Sequence, residues 1–338
     1  MKTYIPYSLI LAAAATSMAF GAETAYTTPV GYITHTINPD AGGGSALTIV
    51  SPSLVQPTEF AGVSTDNPSG VATVSFSGGV PTTFNNSDVL EITSGANEGW
   101  WSTVVSSTTS TVTVLDNFPA GLAVGTKIAV RKHNTVLSTF GQNAPGLTPF
   151  GVGTPDEIQF FNPNQSLTSV VYATTAQGAP QNGWYFSNNF SSADSAVIEP
   201  ATAVLVKSFQ ATAKTFQTSG TVKLTDTQVD IFPGLTLVGQ PGAAGATIDN
   251  SGFPTQIIQF TGSNTNYDQL QFLNPSQSLT NYAALAPGVA GPTATMGNLG
   301  TGTPAGTDPF LEGTGAIIKR DPSVAASPIT IQGSVVAP

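Results

Sequence analysis

The chain has 338 residues, with 35 Gly, 25 Pro and no Cys, and only 8% of its residues are charged. Nine Lys and Arg against 19 Asp and Glu leave a formal charge of −10, which gives no basic footprint for nucleic acid or anionic headgroups. Two His and no Cys exclude thiol nucleophiles and Cys-based zinc sites and leave little for a His-centred triad, while 40% apolar residues suffice for packed cores.

Residues 1–22 read as a secretory signal peptide. Lys2 supplies the positive end, Leu9–Ala15 the apolar stretch, and Ala19-Phe20-Gly21 the small residues of a cleavage site. That stretch is too short to cross a bilayer and no later segment is longer, so the expectation is an exported protein without a membrane span after leader removal. Periplasm, cell surface and extracellular space all remain open.

Strand signals then follow one another. Tyr32–Ile37, Ala46–Val50, Gly70–Phe76, Asp88–Thr93, Thr111–Leu115 and Lys127–Arg131 are rich in β-branched residues and bounded by Gly, Pro, Asn and Asp. Glu157–Phe161, Ala203–Lys207, Leu235–Val238, Gln256–Phe260 and Ala316–Lys319 continue the pattern. No stretch sustains a 3.6-residue period with caps, so the fold class is all-β.

One motif occurs twice. Asp156–Thr168 and Asp268–Thr280 share nine of 13 residues at an offset of 112, and the same offset aligns Thr202–Lys207 with Thr314–Lys319. A weaker match sets Val30–Thr36 and Leu47–Val50 beside Val222–Thr227 and Leu235–Val238. These blocks predict two homologous β-sandwich-like or barrel-like units, 23–56 plus 138–218 and 219–338. The first is interrupted by a small inserted β-barrel or meander at 57–137. On this reading the repeated residues serve the two interiors, and a deep pocket gathering acids from both halves would count against it.

Thr28–Ile33, Ser94–Trp101, Pro155–Ile158 and Ile317–Arg320 occur in this order. With them the chain resembles a family of secreted, paralogous β-rich proteins of unknown function from verrucomicrobial-type bacteria. The repeat unit also resembles a bacterial extracellular β module that opens with a Gly-Trp-Asn-type strand and closes on a Pro-Gly-x-Gly-Tyr-type strand. It departs from that module: neither half opens with Trp, and Val204 and Ala316 stand where the closing Tyr belongs. The resemblance implies secretion and architecture, and no activity.

Candidate chemistry is sparse. Asp156-Glu157 is the obvious carboxylate pair for a secreted glycoside hydrolase or lyase, but its counterpart is Asp268-Gln269, and an Asp kept in both places reads first as a turn cap. Asn264–Asp268 alternates oxygen ligands as a calcium loop does, yet lacks the Gly at the sixth position and has Pro275 where the Glu belongs. No cofactor is expected, a weak surface calcium apart. His35 and His133 have no nucleophile tied to them. Trp100, Trp101, Trp184 and Tyr185 follow glycines at turns and are the candidate carbohydrate-binding residues, although one of each adjacent pair must face a core. The expected function is a structural or interaction role at the cell surface or outside the cell. Its partners would be the protein itself, other envelope components or a polysaccharide, and the alternative is a carbohydrate-binding module.

Overall fold

Short β-branched runs between Gly, Pro and Asn turns bury an apolar face only by pairing into sheets, and this chain does so almost throughout. The computed structural model describes residues 29–333 apart from 41, 143–145, 243–244, 290–293, 302 and 311–312; the expected leader lies outside the described residues. First come β1 (Val30–Ile37), β2 (Ala46–Val50) and β3 (Leu54–Val55). Next are β4 (Thr58–Val63), β5 (Thr73–Ser75), β6 (Asp88–Ile92), β7 (Trp101–Ser107), β8 (Thr111–Val114) and β9 (Lys127–Lys132). The chain returns through β10 (Asn134–Thr135), the single-turn helix α1 (Val136–Phe140), β11 (Glu157–Phe161), β12 (Leu167–Ala173) and β13 (Gly183–Phe186). β14 (Val197–Ile198), β15 (Val204–Ser208) and the long β16 (Lys214–Val222) complete this part. The last part holds β17 (Thr227–Ile231), β18 (Gly234–Gly239), the one-turn α2 (Phe253–Gln256), β19 (Gln269–Leu273) and β20 (Leu279–Leu285). It ends with β21 (Thr295–Asn298), β22 (Gly315–Arg320) and β23 (Ser327–Ile331).

Three cores result. A sheet ordered β13-β12-β11-β15-β2 is covered by the ribbon β1-β16-β3, with Ile37, Val50, Phe140, Ile158, Trp184 and Val206 between them. A second sheet, β18-β22-β19-β20-β21, packs on the ribbon β17-β23 over Ile231, Phe253, Leu270, Met296, Phe310 and Ile318. The intervening sheet, β4-β9-β6-β7-β8-β5, wraps Val74, Leu90, Ile92, Val104, Phe118 and Val130. Its edges meet through a single bridge, Ser64 to Phe76, so it curls without closing into a barrel. The protein is all-β and sandwich-like.

The two five-stranded sheets share register as well as order. Glu157 pairs with Val171 and Lys207, and 112 residues later Gln269 pairs with Ala283 and Lys319. Leu47 faces Lys207 as Leu235 faces Lys319. In the ribbons, Thr36 opposite Thr215 matches Ile231 opposite Ser327. The counterpart of β1 is therefore β17, three residues later than the sequence match at Val222 suggests; gaps in the β1–β2 connection shifted that alignment. Gln256–Phe260, expected as a strand, holds the end of α2 instead, because Pro254 enters its first turn and supplies no ladder donor. Phe260 keeps one bridge to Leu285.

The two sheets turn their outer faces to one another. Ile49, Ala203, Leu205 and Leu237 are buried there with Phe161, Leu273 and Ile317 against them. Polar contacts across this interface come in matching pairs. Ser51 N–H donates to the Gly313 carbonyl at 3.1 Å and Gly239 N–H to that of Ala201 at 2.8 Å. Val50 bridges Thr314 and Thr202 bridges Val238.

The repeated Asn-Pro-x-Gln-Ser turn makes the second kind of pair. Gln277 Oε1 accepts from Leu47 N–H at 2.6 Å and its Nε2 donates to the Leu47 carbonyl at 3.1 Å. Gln165 does the same to Leu235, at 2.7 and 3.1 Å. Each amide imitates a strand neighbour along β2 or β18, the edge strand of the other sheet. Both glutamines hold positive φ, 64° and 63°, a backbone cost borne where their side chains bond both the N–H and the carbonyl of one edge residue. Within each turn Asn162 or Asn274 bonds the following Ser and Thr hydroxyls at 2.8–3.1 Å.

Candidate functional site

The intervening sheet docks by its Ser94–Trp101 hairpin. Gly99 at φ +89° lies so close to Asp226 that a Cβ would meet the Asp226 backbone at 2.8 Å, so the approach requires glycine. Gln228 N–H donates to the Gly99 carbonyl at 2.9 Å, and Trp101 Nε1 donates to the Gln228 carbonyl at 2.7 Å, which fixes the indole against β17.

Where the three bodies meet, a cleft of about 510 Å³ opens. Its aromatic wall is Trp101 from the intervening sheet, Phe160, Phe161 and Phe186 from the first half, and Phe232 from the second. Asn162, Thr168, Thr202 and Thr236 add polar groups, and Asp116, Glu199 and Asp230 bring one carboxylate from each body. Among the described residues no Lys, Arg or His lines it. Glu199 reaches solvent, yet the crowding walls push its carboxyl above the ordinary Glu range, helped by the nearby charges of Asp230 and then Asp116. Ser102 Oγ donates to Asp116 at 2.8 Å. An adjoining cavity of about 340 Å³ shares Trp101, Asp116 and Asp230 and adds Trp100.

The four aromatic candidates therefore separate. Trp101 is half-buried and lines the cleft; Trp100 packs on Phe118 at 4.9 Å and shows part of its surface to the adjoining cavity. Trp184 is fully buried, with its Nε1 donating to the Gly141 carbonyl at 2.9 Å, and the equivalent residue in the second half is the equally buried Met296. Tyr185 is buried against Phe190 with its hydroxyl on the Gln181 carbonyl at 2.9 Å. Neither Trp184 nor Tyr185 offers a face to a ligand: Trp184 fills the sandwich interior, and Tyr185, on the opposite face of β13, is covered by Ala173, Ala179 and Phe190.

The Asp156-Glu157 pair is divided by the sheet. Asp156 is buried and accepts from Thr148 N–H at 2.8 Å and Phe209 N–H at 2.7 Å, a cap on two loops, while Glu157 is held by Gln159 Nε2 at 2.8 Å. Asp268 accepts from Ile258 N–H at 3.1 Å and pairs with the buried Arg320 at 2.7 Å, and Asn264 Oδ1 accepts from Thr261 N–H at 2.7 Å. Two of the oxygens that a weak surface calcium would use in this loop, Asn264 Oδ1 and the Asp268 carboxylate, are thus engaged within the protein. Among the described residues no three His, Asp or Glu side chains come close enough to hold a metal ion.

Both histidines are buried. His35 bonds the Gly313 carbonyl at 3.1 Å and Thr218 Oγ1 at 2.9 Å, and burial lowers its pKa to about 4 despite the carbonyl. His133 is held at about 4 in the same way, against the opposing field of Asp88.

The cleft acids were missed in sequence because they belong to no motif. Asp230 occupies the β17 position equivalent to His35 in β1, and Glu199 and Asp116 lie in loops. The cleft does gather acids from both halves, contrary to the expectation above. Repeated residues line it too, Phe160, Asn162, Pro163 and Thr168 among them, but none of the three acids is a repeated residue. Compared with known families, characterised proteins and solved structures, the chain matches none.

Proposed function

We propose that the chain is an exported, non-catalytic β-protein of the cell surface or extracellular space that acts by binding, and that the cleft between its three bodies takes a saccharide. The observation that carries this reading is the cleft lining: one indole and four phenyl groups for sugar faces, with carboxylates, an amide and hydroxyls for sugar hydroxyls. The absence of cationic side chains from that lining favours neutral or amino-bearing glycans over acidic ones. Polysaccharide pull-down and glycan-array binding test it: the native chain retains a glycan, and Trp101→Ala loses it while Trp100→Ala keeps most of the binding. Equal retention by all three proteins would remove the cleft as the site.

One observation favours a second reading. A carboxyl raised above its usual range beside two others is the pattern of a general acid in glycoside hydrolysis. Release of reducing ends from the retained glycan, abolished in Glu199→Gln, would replace the binding role by hydrolysis.

A further inference from the structure

A smaller cavity of about 30 Å³ lies between the intervening sheet and the first half, lined among others by Glu91, Arg131, His133, Asn134 and Lys223. That is roughly two to three times the space one water needs. His133 follows the end of β9 two residues after Arg131 and bonds Thr103, which lies in the same cross-strand row as Arg131, so both side chains stand on one face of the sheet. Both are buried, and Arg131 Nε and His133 Nδ1 have no hydrogen-bond partner among the described residues. Two other donors nearby are engaged: Arg131 Nη2 pairs with Glu91 Oε2, and Lys223 Nζ with Glu91 Oε1 and the carbonyls of Thr225 and Asp226.

At contact distance the ion pairing is uneven. One carboxylate, Glu91, answers two buried cations. Lys132, next to Arg131, pairs with Asp88 at 2.6 Å, and Asp226, which accepts from Gly333 N–H at 3.2 Å, acts on Lys223 through its charge without an ion-pair contact. A buried guanidinium that shares its one carboxylate with a second cation, with two idle donors on the same cavity, is costly unless a ligand joins it.

We propose that this cavity is a binding site for one small monovalent anion of chloride size, held by the Nε–H of Arg131 and the Nδ1–H of His133. The second donor follows from the neighbouring bond: His133 Nε2 sits 3.1 Å from Thr103 Oγ1, and accepting the hydroxyl proton there places the ring proton on Nδ1. Burial lowers the pKa of that ring, and burial lowers that of Lys223 as well, so the positive charge facing the anion is that of the Arg131 guanidinium. The volume, room for roughly two or three waters, suits a single halide ion.

The test is thermal unfolding of the purified chain in sodium chloride, sodium bromide and sodium gluconate at equal ionic strength, with anomalous diffraction from bromide-grown crystals. The expected result is a saturable Tm rise in both halides and none in gluconate, with a bromide peak between Arg131 and His133. Arg131→Lys keeps the charge beside Glu91 but removes Nε, and His133→Phe removes the second donor; each loses the halide-specific rise. If Arg131→Lys does not fold, His133→Phe decides. Identical Tm in halide and gluconate, or no peak at the site, would overturn the proposal and leave water as the occupant.

Discussion

Gln277→Ala is the sharpest probe of how the two halves hold together. The substitution removes two hydrogen bonds to the Leu47 backbone, at 2.6 and 3.1 Å, along the free side of β2. Each is worth about 1 kcal/mol net, and water partly replaces both at this exposed position, so the loss is about 1–2 kcal/mol. Gln165→Ala, on the matching turn, costs a similar amount, and the double variant loses about 2–4 kcal/mol because the two turns contact different strands. Backbone conformation supplies an internal control. Gln277 has φ 63°, where Gly is at ease and Ala is not, so Gln277→Gly deletes the same bonds yet falls short of the Ala loss by up to about 1 kcal/mol. Urea unfolding reads all four proteins from their midpoints at constant slope. Size-exclusion chromatography with light scattering reads the other consequence: β2 and β18 become unprotected edges, and the double variant associates with rising concentration. Native midpoints in both single Ala variants, or an Ala variant as stable as its Gly partner, would refute the reasoning.

Further outcomes follow from buried groups. Arg320→Met strands the Asp268 carboxylate without its cation and costs about 3–5 kcal/mol, while adding Asp268→Asn recovers much of it; urea midpoints of the two variants decide. Trp184→Ala opens the first core and costs about 3–5 kcal/mol, whereas Trp101→Ala shifts the midpoint less and acts on ligand retention; denaturation and pull-down together separate them. His35 and His133 titrate near 4 when folded and near 6.5 when unfolded, so the unfolded chain gains protons first as pH falls. Their contribution is complete above pH 6.5, declines between 6.5 and 4 and is spent below 4, by at most about 3 kcal/mol each. Midpoints measured from pH 7.5 to 4.5 should fall, and His35→Gln should flatten the slope.

The strands were legible because alternation and turn chemistry are local. Glu157–Phe161 and Ala46–Val50 coincide with β11 and β2 residue for residue. The Asn-Pro-x-Gln-Ser turn was visible as a repeated motif, but the task of its Gln was not, since Leu47 and Leu235 are distant in sequence. β16 was passed over because Lys214–Val222 carries Gln, Ser and Gly between its apolar residues and draws its burial from β1. α1 and α2 are single turns, too short to show a period. For the site, sequence pointed to aromatic pairs without telling inward from outward: Trp101 was legible as a candidate, and Trp184 and Tyr185 could be placed only once β13 had its neighbours. Glu199, Asp116 and Asp230 converge from three bodies, and that convergence is a property of docking.

A fastener addressed to main chain is blind to side-chain substitution. Because Gln165 and Gln277 grip the amide and carbonyl of Leu235 and Leu47, the residues at those two positions can change without loosening either grip. The halves are thus free to drift apart in surface character while staying clasped. An added sheet, an indole and three unrepeated acids could accumulate on one flank alone, and a symmetric frame came to carry a one-sided cleft.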